Sequence, residues 1–527
     1  MTNSINEIED TKCILAIGTN TTHAHPVIGL RVKKAVRQGA SLIVVNPKRI
    51  DLCRYADLLL QIKPGTDVAL LMGMMKVIVD EGLVDEAYVS TRTENFDALK
   101  KELHKFPIEK VAEITGVSAR SIIKAAKMYA SAKPASILYT MGVTQHTHGT
   151  DNVMSVANLA MLTGNVGIYA GGVNPLRGQN NVQGACDMGA LPNVYTGYQK
   201  VDLPEIREKF ETAWGVTLNG APGLTHTEMV EAARHGKIKA LYLMGENPML
   251  SEANLTHTKE GLEKAEFVVS QDIFLTETAQ MADVVLPACS FAEKDGTFTN
   301  TERRVQRVRR AIEPIGDSKP DWWIVSEIAK RMNARGFDYE GPEQIFNEIA
   351  SVTPTYAGIS YERIEKEGIQ WPCPTPDHPG TPYLHRDAFI RPGGKGLFAS
   401  IQYRESAELP DNDYPLILTT DRSLYHYHTS TMTLRVEGLK FLESREKLRI
   451  HPEDAARYGV ETGQRVQVAS RRGKVNVDVH VTDICRPGMV SMTFHFPETP
   501  TNLLTNNAVD PVAKTPETKV CAVRIEV

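Results

Sequence analysis

The chain has 527 residues, of which 42% are hydrophobic and 23% are charged. This length exceeds the size at which a single hydrophobic core stops growing, so we expect several folded domains rather than one domain or a disordered chain. The formal net charge is −5, from basic and acidic residues spread along the sequence, which argues against a nucleic-acid partner.

The first third of the chain alternates short apolar runs with amphipathic helical patterns. The predicted strands are Cys13–Ile17, Ser41–Val45 and 136–141, and the predicted helices are Pro26–Arg37 and 118–131. Strands that alternate with helices indicate βαβ units and a largely parallel sheet.

A second set of strands follows, at Ala240–Met244, 267–270 and 283–287, with a helix at 225–235 between the two sets. This pattern predicts a second α/β unit. Two helices are then predicted at 321–332 and 342–350, followed by a stretch rich in Pro and Gly at 371–396, which we interpret as part of an extended connection.

The hydrophobic period changes near the C-terminus. Residues 465–470 and 475–482 alternate apolar with polar side chains and are joined by 471–474, a hairpin signal. We therefore predict a small β-rich, barrel-like domain. The predicted division is 1–178, 179–345, 346–410 and 411–527, with the third part as the extended connection.

Polar, flexible turns follow the predicted parallel strands. They lie at 18–20, 46–49, 142–145, 245–248 and 271–272. Ligands bind at the carboxyl ends of parallel strands, where glycine lets the backbone approach and helix N-termini attract anions. Together the turns suggest a long ligand that carries phosphates, although each alone is also typical of an ordinary strand-ending turn. Neither G-x-G-x-x-G nor a P-loop motif is present.

Histidine and cysteine give weaker signals. Three H-x-H pairs occur at 23/25, 146/148 and 426/428, and each pair could ligate a metal, donate hydrogen bonds to a ligand or lie satisfied in a loop. The seven cysteines form no C-x-x-C pair, which argues against a disulfide framework or a cluster-binding run. An arginine cluster at 303–310 is interpreted either as a solvated element end or as a binding surface.

Residues 174–189 are the most unusual stretch, with five carboxamides, one guanidinium and three glycines. The guanidinium belongs to Arg177, and its planar shape suits bidentate binding of a small carboxylate. An arginine that only supports the loop is the alternative interpretation.

Six segments carry a family resemblance: 142–146, 177–189, 245–248, 271–276, 420–433 and 494–522. They resemble the molybdopterin oxidoreductase family, and within it the catalytic (alpha) subunits of formate dehydrogenases. The resemblance runs in order along the whole chain and is most specific at 177–189. It implies two αβα parallel-sheet domains, a C-terminal β-barrel domain and a bis-molybdopterin guanine dinucleotide cofactor that holds Mo or W.

The resemblance also implies site residues. Arg177 would hold formate beside the metal, and Gln179 would shape the same pocket. No metal ligand is assigned. In the α/β domains, cofactor contacts are implied at Gly18, Asn20, His25, Asn46, Lys48, Gly65, Thr66, Asp67, Met141, Gln145, Asn247, Gln271, Asp272, Lys294 and Asp321. In the barrel domain, they are implied at Thr420, Arg422, His426, His428, Thr429, Phe494, Asn502 and Lys519.

Family members begin with a four-cysteine run that binds a 4Fe–4S cluster, followed by a selenocysteine or cysteine that ligates the metal. Neither is present in this sequence, so the cluster is expected only in a preceding segment, and the 527 residues alone are expected to be inactive. An in-frame UGA codon for selenocysteine, read as a stop, is our hypothesis for this difference. Other interpretations are a different oxidoreductase of the family, such as one like nitrate reductase, and a metal-free scaffold.

The expected partners are formate or CO2 and electron-transfer subunits. The N-terminal residues show no apolar signal region, and no apolar run is long enough to span a bilayer. We therefore expect a cytoplasmic protein that does not insert into the membrane. The sequence leaves open Mo or W, the electron acceptor and the direction of the reaction.

Overall fold

The computed structural model describes residues 1–527. The chain forms two compact units. Unit 1 comprises Met1–Leu176, Leu250–Thr256 and Tyr383–Val527, and unit 2 comprises Arg177–Met249 and His257–Pro382. The domain boundaries predicted from the sequence, at 178, 345 and 410, stay predictions.

Strands and α-helices occur together along most of the chain. The strands are β1 (Cys13–Ile17), β2 (Ser41–Val45), β3 (Leu58–Leu60), β4 (Thr93–Glu94), β5 (Ala135–Tyr139), β6 (Val173–Pro175), β7 (Val194–Tyr195), β8 (Gln199–Lys200), β9 (Ala240–Met244), β10 (Phe267–Asp272), β11 (Val284–Pro287), β12 (Gly296–Thr299), β13 (Arg304–Val308), β14 (Ile369–Gln370), β15 (Gly396–Leu397), β16 (Leu416–Asp421), β17 (Lys447–Ile450), β18 (Arg465–Ala469), β19 (Lys474–Val481), β20 (Met489–Thr493) and β21 (Cys521–Glu526). The α-helices are α1 (Thr21–Ala24), α2 (Pro26–Arg37), α3 (Asp67–Asp80), α4 (Glu86–Arg92), α5 (Phe96–Leu103), α6 (Ile108–Thr115), α7 (Ala119–Ala130), α8 (Met141–Thr144), α9 (Gly149–Leu162), α10 (Val182–Asp187), α11 (Pro204–Trp214), α12 (His226–Arg234), α13 (Pro248–Ser251), α14 (Leu255–Lys264), α15 (Asp321–Arg331), α16 (Pro342–Val352), α17 (Glu437–Leu442) and α18 (Pro452–Tyr458).

Unit 1 contains a five-stranded parallel sheet in the order β3-β2-β1-β5-β6. The central strand β1 is buried along its whole length, because helices cover both faces of the sheet. Helix α3 is apolar on nearly every side and lies in the core, whereas α2 buries only one stripe, from Ile28 to Ala35. The parallel order brings the carboxyl ends of β1, β2 and β5 to one edge.

Unit 1 also contains a closed barrel in the strand order β16-β20-β17-β19-β18-β21. Alternate residues of β19 point into its core, which explains the two-residue period of the sequence. The predicted hairpin joins β18 to β19, and the Ser470 amide donates to the Gly473 carbonyl at 2.9 Å across the turn. The predicted fold class, parallel α/β sheets with a C-terminal β-barrel, is confirmed.

Unit 2 contains a three-stranded parallel sheet, β11-β10-β9, and a three-stranded antiparallel sheet, β12-β13-β14. A core of aromatic and aliphatic side chains, including Phe346 and Tyr356, lies beside the antiparallel sheet. The middle strand β10 is largely buried, but β9 and β11 are exposed at many positions, including Tyr242 and Met244.

Arg303 is not in solvent, although one interpretation of the arginine cluster at 303–310 placed it there. Its side chain is buried, and its guanidinium donates to the carbonyl oxygens of Trp371, Thr381 and Pro382. The backbone is left-handed at this residue, with φ of 69°. Arg303 therefore ties β13 to the segment that follows β14, a structural role within unit 2.

The helices of both units are short or amphipathic. None of them combines the length and the apolar character that crossing a bilayer requires.

Candidate functional site

The loops that follow β1 and β5 touch backbone to backbone. Gly18 has a φ of 55°, and its carbonyl oxygen accepts hydrogen bonds from the Gly142 amide at 3.1 Å and the Thr140 hydroxyl at 2.8 Å. A Cβ atom at Gly142 would lie 2.7 Å from the Gly18 Cα, so only glycine fits there. Glycine therefore sets the shape of this edge of the sheet.

Four consecutive residues after Gly18 hold buried polar atoms that have no protein partner. They are the Thr19, Thr21 and Thr22 hydroxyl oxygens and the Asn20 side-chain oxygen. Buried polar groups in proteins are almost always hydrogen-bonded, so a run of this kind indicates a surface that binds a polar ligand. The neighbouring His25 caps α1 through its amide, which donates to the Thr21 carbonyl at 3.0 Å.

The loop after β2 meets the end of β16 within unit 1. The Asn46 side chain is buried, and its oxygen accepts from the Lys48 amide at 3.0 Å. The Lys48 ammonium forms an ion pair with Asp421 and donates to the Ser491 hydroxyl at 3.2 Å. Burial lowers the pKa of Lys48 to about 7. The sheet edge and the barrel therefore form one continuous surface.

Lys519 lies on that surface without an acidic partner. Its ammonium donates to the Thr420 carbonyl at 2.7 Å, and no carboxylate lies within ion-pair distance. The adjacent Thr518 hydroxyl donates to the Gln145 side-chain oxygen at 3.0 Å, which links the segment before β21 to the loop after β5. Burial, and secondarily the charge of Arg422, lowers the pKa of Lys519 to about 7.

Arg422 is the second cation of this region without a carboxylate partner. Its guanidinium lies over the Phe494 ring, 5.6 Å from the centroid. Burial lowers the pKa of Arg422, which means that the environment disfavours an uncompensated charge there. Two half-buried cations that lack a protein anion are suited to bind the phosphates of a ligand.

A histidine that no sequence pattern singled out shapes the barrel loop. His495 donates from Nδ1 to the His428 carbonyl and accepts at Nε2 from the Ser423 amide at 2.8 Å. Burial lowers its pKa to about 3, so the ring is neutral. The phenyl ring of Phe494 packs against the ring of His428 at 5.5 Å. His428 itself adopts a left-handed backbone, with φ of 50°.

The predicted barrel residues are partly structural. His426 donates from Nε2 to the Glu443 carbonyl at 2.6 Å, so its Nδ1 accepts from the Thr433 hydroxyl. The buried Thr429 hydroxyl lies 3.1 Å from that of Thr431. The Asn502 side chain donates to the carbonyls of 250 and 251 at 3.0 and 3.1 Å.

The predicted residues before α3 form a buried corner. Gly65 has a φ of 81°, and the Thr66 hydroxyl donates to the Lys63 carbonyl at 2.7 Å. Asp67 is buried at the first position of α3, and burial raises its pKa to about 6. Met141 is exposed by contrast, and its sulfur accepts from the Thr144 hydroxyl at 3.4 Å.

The histidine pairs do not form a metal centre. No group of three or more His, Cys, Asp or Glu side chains is arranged to hold a metal ion. The rings of His146 and His148 stack at 5.3 Å, and His23 pairs with Asp51 at 3.2 Å. Both ring nitrogens of the buried His148 lack a hydrogen-bond partner.

We predict a pH effect on stability from His148. Burial lowers its pKa from 6.5 to about 4, so the unfolded chain binds this proton more tightly than the folded chain. Stability is therefore present above pH 6.5 and lost as the pH falls towards 4. His148→Gln should weaken this loss by up to about 3 kcal/mol. The measurement is the unfolding transition at pH 7, 5.5 and 4.5.

The exposed His235 provides the control for this prediction. His235→Gln should change the pH dependence little, because that side chain is 59% exposed and its ion pair with Glu231 is screened by solvent. A steep acid dependence that persists in the His148 variant would contradict the assignment.

In unit 2, four predicted residues lie at the carboxyl end of β10. The Gln271 side chain donates from Nε2 to Asp321 at 2.7 Å and accepts from the Tyr242 hydroxyl, and Lys294 forms an ion pair with Asp321. The Asp272 carboxylate follows directly and accepts from its neighbour's amide at 2.6 Å. The strand therefore ends in a polar cluster, as expected.

The Gly245 turn lies beside this cluster. Its amide donates to the Gln271 carbonyl at 2.8 Å, and Gly245 has a φ of 64°. The buried Asn247 side chain donates to Glu277 at 2.8 Å and accepts from the Thr278 hydroxyl at 2.7 Å. These bonds hold the turn after β9 in place.

The unusual polar stretch that includes Arg177 and Gln179 leads into helix α10 in unit 2. The half-buried Arg177 donates from its amide to the Thr301 hydroxyl at 3.0 Å, and its Nε donates to the Gln183 side-chain oxygen at 3.4 Å. The Gln179 Nε2 is buried without a partner. A guanidinium and an unpartnered amide donor therefore occur on the same short loop.

Comparison with known proteins identifies the fold family. The family model described as molybdopterin oxidoreductase matches residues 1–331, which is more than half of the chain. The chain belongs to the molybdopterin oxidoreductase family. A second family model, the molybdopterin dinucleotide-binding domain, matches residues 416–522, which include most of the barrel and both cations described above.

Two relatives of this oxidoreductase carry functional names. The F420-dependent formate dehydrogenase subunit alpha of Methanocaldococcus jannaschii is 50% identical over 528 residues, covering 100% of this chain and 78% of the relative. Formate dehydrogenase H of Escherichia coli is 43% identical over 531 residues, covering 100% of this chain and 74% of the relative.

A solved structure supports the same fold. Acetylene hydratase from Pelobacter acetylenicus superposes with a TM-score of 0.78 at 22% identity, covering 99% of this chain and 80% of that one. At this identity, the likeness establishes only the fold of the oxidoreductase and not its function.

The observed residues fit a molybdopterin dinucleotide. The hydroxyls at 19, 21 and 22 and the Asn20 oxygen lack protein partners, and the cations of Lys519 and Arg422 lack a carboxylate. A dinucleotide offers hydrogen-bonding groups to the former and phosphates to the latter. These groups lie at the edge of the first sheet and at the end of the barrel, both in unit 1.

Proposed function

We propose that this chain is part of the catalytic subunit of a formate dehydrogenase. The reaction removes two electrons and one proton from formate and releases CO2, or runs in the reverse direction. The observation that carries the proposal is the identity of 50% and 43%, along all 527 residues, to two relatives named formate dehydrogenase. Arg177, on a loop suited to bind a carboxylate, supports it.

We propose that the cofactor is a bis-molybdopterin guanine dinucleotide that holds Mo or W. When bound, it supplies the two-electron redox chemistry. In unit 1, Asn20, Gln145, Arg422 and Lys519 would hold one dinucleotide through its polar edges and phosphates. In unit 2, the predicted contacts are Asn247, Gln271, Asp272, Lys294 and Asp321, and these side chains lie around the ends of β9 and β10.

Arg177 would bind and orient the substrate. A guanidinium matches the two oxygens of formate, neutralises their charge and fixes the direction of the C–H bond. The Gln179 amide is suited to donate a further hydrogen bond, because its Nε2 has no protein partner. Formate is the smallest carboxylate, so recognition depends almost wholly on its two oxygens.

We also propose electron-transfer partners. The similar chains from methanogens and E. coli extend beyond the part matched here, since the match covers 78% and 74% of their lengths. A 4Fe–4S cluster, carried by polypeptide outside these 527 residues, and a further subunit would take the electrons onwards. The name of the methanogen relative suggests coenzyme F420 as one acceptor.

The proposal is tested on the assembled enzyme. The protein is isolated with any preceding segment and partner subunits, and its metal and pterin content is determined. We expect two pterin dinucleotides for each Mo or W, and reduction of a viologen dye that depends on formate. A fully loaded enzyme that leaves formate unchanged would overturn the assignment.

A further inference from the structure

A buried carboxylate lies one helical turn behind the loop of Arg177. Asp187, at the end of α10, is fully buried, and it accepts hydrogen bonds from four neutral groups. Its Oδ1 accepts from Gln183 Nε2 at 2.8 Å and the Tyr198 hydroxyl at 2.9 Å. Its Oδ2 accepts from the Tyr356 hydroxyl at 2.6 Å and the Trp371 indole N–H at 2.7 Å.

This arrangement is unusual because no cation lies among the four donors. Burial, and secondarily the charge of Asp187, raises the pKa of Tyr198 and of Tyr356, so both remain hydroxyl donors. A carboxylate can only accept hydrogen bonds, whereas a buried amide could turn either way. Asp187 therefore fixes the direction of every group that faces it.

The main consequence is the orientation of the Gln183 amide. Gln183 and Asp187 are four residues apart on α10 and share one face of the helix. Gln183 Nε2 donates to Asp187 at 2.8 Å and to the Tyr198 oxygen at 2.9 Å, which uses both of its hydrogens. Its oxygen must then face the other way, where it accepts from Arg177 Nε at 3.4 Å.

We propose that Gln183 and Asp187 are positioning residues for Arg177. Gln183 holds the Nε edge of the guanidinium, and Asp187 keeps the Gln183 amide from turning over. Together with the hydrogen bond from the Arg177 amide to Thr301, this fixes the plane in which the terminal amino groups lie. The inference rests on the proposed role of Arg177 in binding formate, and it adds the two residues that orient the arginine side chain.

Ordering matters because arginine has a long, flexible side chain. Fixing it before the substrate arrives removes an entropic cost from binding and keeps the carboxylate in the geometry for reaction. A positioning residue of this kind should affect formate affinity more than the folding of the loop.

The test replaces Gln183 with leucine in the assembled, cofactor-loaded enzyme. We expect the KM for formate to rise about tenfold, with a smaller fall in kcat, because a hydrogen bond to a charged group is lost. A second measurement is equilibrium dialysis with labelled formate in the absence of an electron acceptor. The dissociation constant should rise by a similar factor while the pterin content and the unfolding temperature stay near those of the unsubstituted enzyme.

Gln199 provides a matched control in the same unit. Its amide also donates two hydrogen bonds, to the Thr196 and Val352 carbonyls, and accepts one, from Lys209. These three bonds do not involve Arg177. Gln199→Leu should therefore leave the formate KM and the dissociation constant unchanged, even if it lowers stability.

Asp187→Asn tests the second half of the proposal. Asparagine keeps the size of the side chain but replaces one carboxylate oxygen with an NH2 group. That group cannot accept from the two donors that face it, so the Gln183 amide loses its fixed orientation. The KM should rise severalfold in this variant, which is isosteric with the native residue. An unchanged KM would exclude Asp187 from the positioning role.

Combination with Arg177→Ala separates the two proposals. If Gln183 acts through Arg177, adding Gln183→Leu to the Arg177→Ala enzyme should cause no further loss. Additive losses, or equal effects of the Gln183 and Gln199 substitutions, would overturn the positioning role alone. If Arg177→Ala itself leaves formate turnover unchanged, the proposed function of Arg177 fails first.

Discussion

Replacing Arg177 with alanine should lower kcat/KM for formate by about 10²–10³-fold. This magnitude follows from the loss of charge-assisted hydrogen bonds to both oxygens of the substrate, which act in the ground state and as the C–H bond breaks. The loop should persist, because its hydrogen bond to Thr301 comes from the backbone amide and not from the guanidinium. The measurement is steady-state formate oxidation by the assembled enzyme, alongside its metal and pterin content.

The effect should depend on the shape of the guanidinium as well as its charge. Arg177→Lys keeps the charge but loses the two-pronged geometry, so it should recover only part of the activity. Arg309 is a control in the same unit, because it is exposed and pairs with Glu365 on the surface. Arg309→Ala should leave kcat/KM unchanged. Normal formate turnover in the Arg177→Ala enzyme, with cofactor present, would contradict the assignment.

Local patterns were enough to predict the positions of most elements near the site. The strands Cys13–Ile17 and Ser41–Val45 and the helix Pro26–Arg37 have the predicted bounds. Apolar runs of about five residues, each followed by Gly or Asn, define a buried parallel strand and its loop with little competition from other structures. The loops after β1, β2 and β5 could therefore be assigned to one edge of a sheet from their sequence alone.

The long-range contacts within each unit could not be predicted in the same way. Lys48 and Ser491 are hydrogen-bonded although 443 positions separate them, and Asp187 accepts from Trp371 across 184 positions. Neither pair follows a local period, so only the folded chain shows them. Arg177 and Gln179 stood out in an unusually polar stretch, but no sequence signal indicated that Gln183 orients the arginine.

The arginine cluster at 303–310 shows a second limit of prediction from the sequence. Charge runs usually lie in solvent, yet Arg303 is buried and bonded to the carbonyls of three residues, while Arg309 and Arg310 pair with surface carboxylates. Residues only a few positions apart therefore have unlike environments, because Arg303 adopts a left-handed backbone before β13 begins. Composition alone cannot separate them.

The second large effect is expected where the barrel meets the sheet edge. Replacing both Lys519 and Arg422 with methionine removes the two cations that have no carboxylate partner, while methionine retains much of the apolar volume. If these cations bind phosphates, the dissociation constant of the dinucleotide should rise by about 10²-fold or more. The measurement is the pterin content per chain after gel filtration at low and high salt.

The double substitution should weaken pterin binding more than it lowers the stability of the fold. Burial lowers the pKa of Lys519 to about 7 and also lowers that of Arg422, so the protein alone gains little by holding these charges. Lys519→Arg should retain the pterin, and Lys447→Met, at an exposed position, should have no effect. A double variant with its full complement of pterin at high salt would show that the phosphates bind elsewhere. Loss of pterin without loss of folding would instead identify the two cations as the anchor of the dinucleotide in unit 1.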